Sequence, residues 1–313
     1  MRVTIISKKI NMNTRYCYYR LHAKIDEMSK FINLKKFIDG EKNSLDQIRS
    51  YFKINHWAYR HYHSQDGFMH FRISKNGCFS DEDIYHQPDS ISEFIKDGDT
   101  VIELGCGQGA NLIYLAHCHP KSKFLGFDLQ PRKKIDMPEN VTIYEQDYSS
   151  LSQIPDQSVD VVYAIETLVY CSDKEKVFRE VWRVMKPGAV LIVYDYASKD
   201  RFETYDPQIQ QAITLISKGG AAALIESLGE WNDHFANCGF ETVRITDYAE
   251  NILPDLKKLE HHANRAMTRP WLAKLEFALL PDQFVSNIIL GYLGYDACKS
   301  GIGAYPEWVL KKV

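Results

Sequence analysis

The chain has 313 residues, of which 45% are hydrophobic and 25% are charged. This composition is typical of a globular protein and excludes a fibrous, collagen-like or wholly disordered chain, and the length fits two domains or one large α/β domain with insertions. The 38 basic residues nearly balance the 41 acidic residues, so no overall positive field would attract nucleic acid.

The first 40 residues form a locally basic segment, with nine Lys or Arg residues against three acids. We interpret this segment as a solvated helical or partly ordered arm, with a contact to a phosphate or a membrane surface as the alternative. Ser44 and Gln47 have the spacing of a capping box, which predicts a helix that begins there. We expect residues 1–87 to form a helical extension that serves as a lid.

An alternation of strands and helices begins near residue 100. Short apolar runs are separated by helical patterns of about 10–15 residues, which is typical of βαβ units in a parallel sheet. We therefore predict an α/β fold with a doubly wound, mostly parallel, seven-stranded sheet over residues 88–313, and helical lids inserted at about 199–238 and 249–298. The predicted strands begin at Thr100, Lys123, Val141, Val159, Ala189, Phe240 and Gly301.

The seven cysteines are far apart, odd in number and without a Cys-x-x-Cys pair. We therefore expect reduced thiols and a cytoplasmic location, and neither a disulfide framework nor a zinc knuckle. The apolar run at the N-terminus is too short for a signal peptide. No uncharged apolar stretch is long enough to predict a membrane-spanning helix.

The segment from Val101 to Asn111, Val-Ile-Glu-Leu-Gly-Cys-Gly-Gln-Gly-Ala-Asn, combines a strand, a glycine loop and the start of a helix. Glycines without Cβ atoms let a ligand lie against the main chain, and the helix offers its first amides to an anionic group. Asp128 ends the next predicted strand, where a carboxylate accepts hydrogen bonds from a ribose diol in nucleotide-binding folds. Together these features predict a nucleoside cofactor.

Residues 103–109, Glu-Leu-Gly-Cys-Gly-Gln-Gly, resemble motif I of the class I S-adenosylmethionine-dependent methyltransferases, and further landmarks follow in the family's order over roughly residues 88–248. The resemblance implies that Asp128 binds the ribose, that Leu129 packs on the adenine, and that Asp147 meets the adenine amino group. The cofactor-binding residues that it implies are Glu103, Gly105, Cys106, Gly107, Gly109, Asp128, Leu129, Asp147, Tyr148 and Ile165.

Within that family, the segment Tyr163-Ala-Ile-Glu166 is similar to one in the sterol and small natural-product methyltransferases of type 11. A histidine follows in those enzymes, and Tyr170 stands at its position here. Residues 160–170 and 179–191 also resemble the family's fourth-strand motif and the block that leads into its fifth strand. The resemblance implies methyl transfer from S-adenosylmethionine to an O, N or C atom of a small lipophilic or amphipathic acceptor, which releases S-adenosylhomocysteine.

Two residues are candidates for catalysis. Glu166 ends the fourth predicted strand at the carboxyl edge of the sheet, where open α/β sheets bind ligands, so it would act on the acceptor or orient it. The alternative for Glu166 is a hydrogen bond to the cofactor's amino group or a cap of the next helix. His70 lies in the ring-rich stretch 51–71, which we interpret as an aromatic lid with His70 as a base, or else as ordinary core and surface rings.

The same stretch raises the alternative of a metal site, because it holds His56, His61, His63 and His70. The one-residue spacing between His61 and His63 argues against zinc or iron, and no carboxylate–histidine pattern on a helix accompanies it. We therefore expect no metal.

Two other functions are weighed against small-molecule methylation. A nucleic-acid or protein methyltransferase is disfavoured by the net charge of −3 and by the absence of an Asn/Asp-Pro-Pro-Tyr/Phe segment after the fourth strand. A non-catalytic cofactor-binding protein or an NAD-dependent protein is disfavoured by the intact donor motifs and by the glycine spacing, which departs from the G-x-G-x-x-G of dinucleotide folds. The sequence thus predicts a small-molecule acceptor and no nucleic acid as partner, and it leaves the oligomeric state open.

Overall fold

The chain is described here from a computed structural model. It covers residues 12–30, 32–39, 44–58, 63–131, 137–267 and 282–313. The predictions made for His61, and the parts of the predicted arm and lids that fall in residues 1–11 and 268–281, lie outside the described residues.

The strands confirm the predicted doubly wound sheet. They are β1 (Thr100–Leu104), β2 (Lys123–Asp128), β3 (Val141–Glu145), β4 (Val159–Ile165), β5 (Met185–Tyr194), β6 (Ala197–Ser198), β7 (Phe240–Asp247), β8 (Gly303–Ala304) and β9 (Pro306–Lys312). Seven of them form one sheet in the order β3-β2-β1-β4-β5-β9-β7, and β6 pairs with β8. Pairing is parallel from β3 to β5 and antiparallel on both sides of β9.

The helices that the structure describes are α1 (Met12–Ser29), α2 (Leu34–Asp39), α3 (Leu45–Ala58), α4 (His86–Ser92), α5 (Ala110–Cys118), α6 (Lys174–Val184), α7 (Pro207–Gly219), α8 (Leu228–Asn237), α9 (Leu253–Met267) and α10 (Asp282–Lys299). The predicted capping box begins α3: the Ser44 amide donates to Gln47 Oε1 at 3.0 Å, and the Gln47 amide donates to Ser44 Oγ at 3.2 Å. None of the described helices is long and apolar enough to cross a membrane.

Apolar side chains cover both faces of the sheet. On one face, Trp231 and Phe235 of α8 pack with Trp308 of β9, and the two indole rings stack with centroids 5.0 Å apart. On the other face, Leu112 of α5 and Leu256 of α9 belong to a second buried cluster. Strands that are apolar on both faces are what a parallel sheet between two helical layers requires.

The predicted lid at 199–238 is divided between two places. Its first helix, α7, packs on the helices α9 and α10, as expected of a lid. The second helix, α8, packs on the sheet through Trp231 and Phe235. Residues 221–227, which the sequence pattern predicts as helix, are irregular. The physical reason is that Ala221 has a φ of 54°, which ends α7, and a capping box at Ser227 then begins α8.

Helices α3, α7 and α9 pack against α10, and these four helices are here called the roof. Helix α1 also packs on α10. Lys24 of α1 is only 6% exposed, and its Nζ lies 2.7 Å from Glu260 Oε1 and 2.7 Å from Asp296 Oδ2. Arg20 pairs with the same two carboxylates. The described part of the predicted basic arm is therefore helical, as expected, but one of its faces is buried in an ion cluster, not solvated.

Gly126 in β2 marks a close contact between the sheet and α5. A methyl group there would lie 2.4 Å from Leu112 Cδ1 and 2.7 Å from Cys106 Sγ, so we expect Gly126→Ala to lower the free energy of unfolding by about 1–3 kcal/mol. Gly229→Ala in α8 is the matched control, because the nearest atom is 3.8 Å away and alanine favours a helix over glycine by about 1 kcal/mol. Urea unfolding measures both variants, and equal stability of the two would contradict the packing described.

Candidate active site

The glycine loop after β1 folds back over the end of β2. The amides of Gly105 and Cys106 both donate to the carbonyl oxygen of Phe127, at 2.7 and 3.1 Å. Gly105 has a φ of 67°, and a Cβ atom there would lie 1.9 Å from Oγ1 of Thr167, just beyond β4. Only glycine allows this left-handed backbone and so close an approach. The loop therefore presents main chain, at Gly105 and Gly107, to a cavity that it lines.

Asp128 stands at the end of β2 with both carboxylate oxygens oriented by the main chain. Oδ2 accepts from the Gly107 amide at 2.9 Å, and Oδ1 accepts from the Gln130 amide at 2.8 Å. Burial raises the pKa of Asp128, and the two amides oppose that rise. A carboxylate has about four acceptor positions, so this group can accept further hydrogen bonds from a ligand in the cavity.

Leu129 and Asp147, predicted to contact an adenine, line the same cavity as Asp128. So do Tyr148 and Ile165, which were predicted to bind the cofactor. Oδ1 of Asp147 accepts from the Ser149 amide at 2.7 Å, and the hydroxyl of Tyr148 donates to the Thr167 carbonyl at 3.0 Å. These bonds fix both side chains. Gly109, by contrast, caps α5 with a φ of 76° and is not part of the lining.

Glu103 is buried inside the wall formed by β1. Its Oε1 accepts from Asn111 Nδ2 at 3.1 Å, whereas Oε2 is buried without a hydrogen-bond partner among the described residues. Burial raises the pKa of Glu103 to about 8, and the Asn111 bond partly opposes this. The buried hydroxyl of Tyr163 also acts on this carboxyl group and favours its ionised form.

His70, predicted as a candidate base, is also buried at the cavity wall. Its Nε2 lies 3.1 Å from Asn111 Oδ1, and its Nδ1 lies 3.2 Å from the Phe71 carbonyl. Burial lowers the pKa of His70 to about 4, so the imidazole is neutral at pH 7. A neutral imidazole has one N–H and donates to one of these two oxygens. Both ring nitrogens face protein oxygens, so the geometry favours a supporting role over that of a base.

Glu166, the other candidate, follows β4 with a left-handed φ of 50°. Oε1 accepts from the Phe71 amide at 2.7 Å and from the Tyr305 hydroxyl at 2.6 Å, and Oε2 accepts from the Tyr196 hydroxyl. Burial raises the pKa of Glu166 to about 8, although these donors favour the ionised form. The carboxyl group is thus held rigidly at the carboxyl edge of the sheet, where it lines the cavity.

Tyr196 and Tyr305 also belong to the site, although neither was predicted from the sequence. Tyr196 follows β5, and Tyr305 directly precedes β9. Because β9 is antiparallel to β5, its beginning lies at the edge where β5 ends, and Tyr305 is brought to Glu166 across 139 positions of sequence. The sequence could have indicated Tyr196, because it comes just beyond a predicted strand and therefore at the edge where ligands bind. No comparable pattern marks Tyr305.

The cavity itself has a volume of about 1070 Å³ and lies between the carboxyl edge of the sheet and the roof. All the predicted cofactor residues except Gly109 line it, together with Glu166 and His70. The roof contributes mainly apolar side chains, among them Ile48, Phe52, Ile216, Leu259, Ala263 and Ile288.

The ring-rich stretch 51–71 lies at this cavity where it is described. Phe52 meets Tyr170 edge-on with centroids 5.3 Å apart, and Phe68 and Phe71 also line the wall. His63 Nε2 lies 2.7 Å from the His70 carbonyl, and the side chain of His56 and all of His61 fall outside the described parts of the chain. In the regions that the structure describes, no group of three or more His, Cys, Asp or Glu side chains is arranged to hold a metal ion.

Cys106, in the middle of the glycine loop, is buried. Burial raises the pKa of its thiol well above the ordinary value, and the nearby carboxyls of Glu103 and Asp128 add to the rise. The thiol is therefore protonated at neutral pH and is not an activated nucleophile.

Comparison with known proteins identifies the central part of the chain. The family described as a methyltransferase domain matches residues 102–193. A sterol 24-C-methyltransferase of Pneumocystis carinii (strain B80) is 25% identical over 235 residues, which are 69% of this chain and 62% of the relative. The methyltransferase phqN of Penicillium fellutanum is 30% identical over 207 residues, which are 62% of this chain and 60% of that relative.

In fold, the chain is similar to the cyclopropane synthase MmaA2 from Mycobacterium tuberculosis, with a TM-score of 0.64 at 12% identity, over 90% of this chain and 99% of that one. The chain spans about three fifths of the length of the two relatives named above. The matched residues 102–193 run from β1 into β5 and include Asp128 and Glu166. Motifs, sheet order and matches agree that residues 102–193 are similar to the methyltransferase domain family.

Proposed function

We propose that this protein transfers the methyl group of S-adenosylmethionine to a small lipophilic or amphipathic acceptor. The observation that carries the proposal is one continuous cavity, which extends from the glycine loop and Asp128 to the apolar side chains of the roof. A cofactor and an acceptor could meet there with little water between them, as an in-line displacement requires.

The residues at the sheet edge fit this cofactor. Asp128 has two amides on its oxygens and keeps acceptor positions for a ribose diol. Glu103 lines the cavity beside Gly105 and adds a second acid that suits a donor group on the cofactor. At Gly107 a Cβ atom would meet only Met69 Sδ, at 3.8 Å, so the main chain there is open to a ligand.

When bound, S-adenosylmethionine supplies a methyl group that its sulfonium has already activated. The residues of the chain then have to align the acceptor, exclude water and hold protons in place. Glu166 is the residue placed to do this last task, because its Oε2 accepts only the Tyr196 hydroxyl among the bonds described, whereas Oε1 accepts two donors. Its pKa is near 8, and the ionised form, which a bound cation favours, can take a proton from an acceptor that loses one.

Several features support a small acceptor and no nucleic acid. The roof covers the cavity with apolar helices, and pockets of this kind enclose lipophilic small molecules. One relative is named a sterol 24-C-methyltransferase, which supports a lipophilic acceptor. We also propose a cytoplasmic location, since all seven cysteines are free thiols, and no resident metal, since a sulfonium donor carries its own activation.

Titration and product analysis test the proposed function. We expect calorimetry to show binding of S-adenosylhomocysteine and none of NADH, and incubation with isotopically labelled S-adenosylmethionine and cell extract to transfer the label to a small organic-soluble product. Mass spectrometry of that product identifies the acceptor. Binding of NADH without S-adenosylhomocysteine, or label found only in protein or nucleic acid, would overturn the proposal.

Asp128 supplies the clearest test of the cofactor side. We expect Asp128→Ala to weaken binding of S-adenosylhomocysteine by about 1.5–3 kcal/mol, the scale of hydrogen bonds to a charged group. Glu145→Gln is the matched control, because Glu145 pairs with Asp128 in the sheet but is exposed and outside the cavity lining. Isothermal titration measures both variants. Equal dissociation constants for the two variants would remove Asp128 from the cofactor site.

Tyr305 tests how Glu166 is held. Its hydroxyl donates to the carboxylate and so lowers the pKa of Glu166 against the effect of burial. Tyr305→Phe removes this donor, and we therefore expect the protonation midpoint of Glu166 to move from about 8 to higher pH, by about one pH unit. Infrared titration of the protonated carboxyl band, assigned by its loss in Glu166→Gln, gives the midpoint without an acceptor.

The control for this measurement is Tyr114→Phe, since the Tyr114 hydroxyl donates to Asp89 outside the cavity lining. That variant should leave the midpoint unchanged. A midpoint that stays in place in Tyr305→Phe, or that falls, would show that the hydrogen bond to Glu166 does not set its ionisation.

A further inference from the structure

The acidic and basic side chains that line the cavity lie mostly on opposite sides of it. The sheet edge contributes carboxyl groups, whereas the roof contributes cations and, among the described residues that line the cavity, neither Asp nor Glu. One side is therefore suited to a ligand with positive charge and hydroxyl donors, and the other to a ligand with negative charge. The acids on the sheet side are Glu103, Asp128, Asp147, Glu166 and Asp173, and the cations of the roof are Arg49, Lys53 and Arg265.

Two of the roof cations project from one face of α3. Arg49 and Lys53 are four residues apart, which places them one turn from each other, next to Phe52. The ring contact between Phe52 and Tyr170 places this face of α3 next to the segment that follows β4. The helix is held in that position by α10, because Asn55 Nδ2 donates to the Gln283 carbonyl at 3.3 Å.

A third cation approaches from the sheet side. Lys176 lies in the first turn of α6, a few residues after Tyr170, and it lines the cavity. The adjacent Glu175 pairs with Arg179 and His234, and Oδ1 of Asp173 caps the helix by accepting the Lys176 amide at 2.9 Å. Lys176 and the cations of α3 thus border the same part of the cavity wall, around Tyr170.

These cations are weakly neutralised by the protein itself. Arg49 lies 3.4 Å from Asp46, whose side chain is 92% exposed, and surface pairs of this kind contribute little. Lys53 and Lys176 form no ion pair in the part of the chain that the structure describes. Cations that face a partly enclosed cavity with no ion pair, or with only a weak surface pair, attract an anionic ligand, and they attract it more strongly than in open water.

We propose that the acceptor is an amphiphile with an anionic group, a carboxylate or a phosphate ester, bound by Arg49, Lys53 and Lys176 while its apolar body lies along the roof. The body would contact Ile48, Ile216, Leu259 and Ile288, which line the chamber beside these cations. This inference rests on the proposed function, because it assigns the sheet edge to the cofactor and the roof to the acceptor.

Displacement of a neutral fluorescent dye, N-phenyl-1-naphthylamine, tests the inference with the protein saturated with S-adenosylhomocysteine. The competitors share one chain length and differ in charge: dodecyl phosphate, dodecanoate, dodecanol and dodecyltrimethylammonium, all as monomers. We expect both anions to bind about fivefold or more tightly than dodecanol, and the cation to bind most weakly. Inorganic phosphate alone should not displace the dye, because it has no apolar body.

Charge-removing variants connect the preference to named residues. We expect Lys53→Gln, Arg49→Gln and Lys176→Gln each to reduce the preference of anion over dodecanol by about threefold, with dodecanol binding unchanged. Lys35→Gln on α2 is the control, since Lys35 is exposed and is not part of this cavity's lining. All of these side chains are at the surface or the cavity mouth, so the variants keep the fold.

Several results would overturn the inference. They are dodecanol binding as tightly as the anions, the cation binding best, a preference that survives in all three variants, or inorganic phosphate displacing the dye as well as dodecyl phosphate does. Binding of S-adenosylhomocysteine is measured first and separately. Its absence would overturn the proposed function, whereas a wrong ranking of amphiphiles in a protein that binds it would overturn only the charge assigned to the acceptor.

Discussion

The candidate site depends on the parallel register of β2, β1 and β4. In this register Leu104 lies beside Phe127 on one side and beside Ala164 on the other, so three strands end at one level. Gly105, Asp128 and Glu166 all come within two residues of those strand ends. A slip of one residue in any pair would turn these side chains to the opposite face. Backbone hydrogen bonds of the sheet thus determine where the polar groups of the cavity stand.

This arrangement places several carboxyl groups in a region with little water. Burial raises the pKa of Glu103 and of Glu166 to about 8, and raises that of Asp195, directly after β5, to about 7. Each of these groups is partly compensated by amide, hydroxyl or carboxamide donors. A cation in the cavity would favour their ionised forms, so ligand binding and proton release are coupled at this edge.

The sequence predicts the parts of the fold that depend on local pattern. The strands from Thr100 to Tyr194, the glycine loop and Asp128 are recognisable because apolar runs, glycines and a terminal acid occur in a fixed order. The helix α8 was assigned to a lid, because its apolar stripe does not reveal whether it covers a cavity or a sheet. Its place is set by Trp308, which comes late in the chain and stacks on Trp231.

Contacts between distant segments explain the other differences. Tyr305 reaches Glu166 only because β9 runs antiparallel to its neighbours, and no local pattern gives that direction. Lys24 reads as a solvated basic residue in the sequence, because the carboxylates that bury it belong to α9 and α10. The identities of Arg49 and Lys53 were equally visible in the sequence, but their position at the cavity follows from how α3 packs on α10.

The ion cluster on α1 also sets an order of events for the growing chain. Lys24 meets Glu260 across 236 positions of sequence, and the other partner, Asp296, belongs to a still later helix. Helix α1 is made first, yet Leu21 and Met28 on its buried face have no cover until α7 and α10 have been synthesised. Such distant contacts form slowly and leave apolar surface open to aggregation in the meantime. The enclosure of the cavity is therefore a late step of folding, completed only after the last roof helix, α10, has left the ribosome.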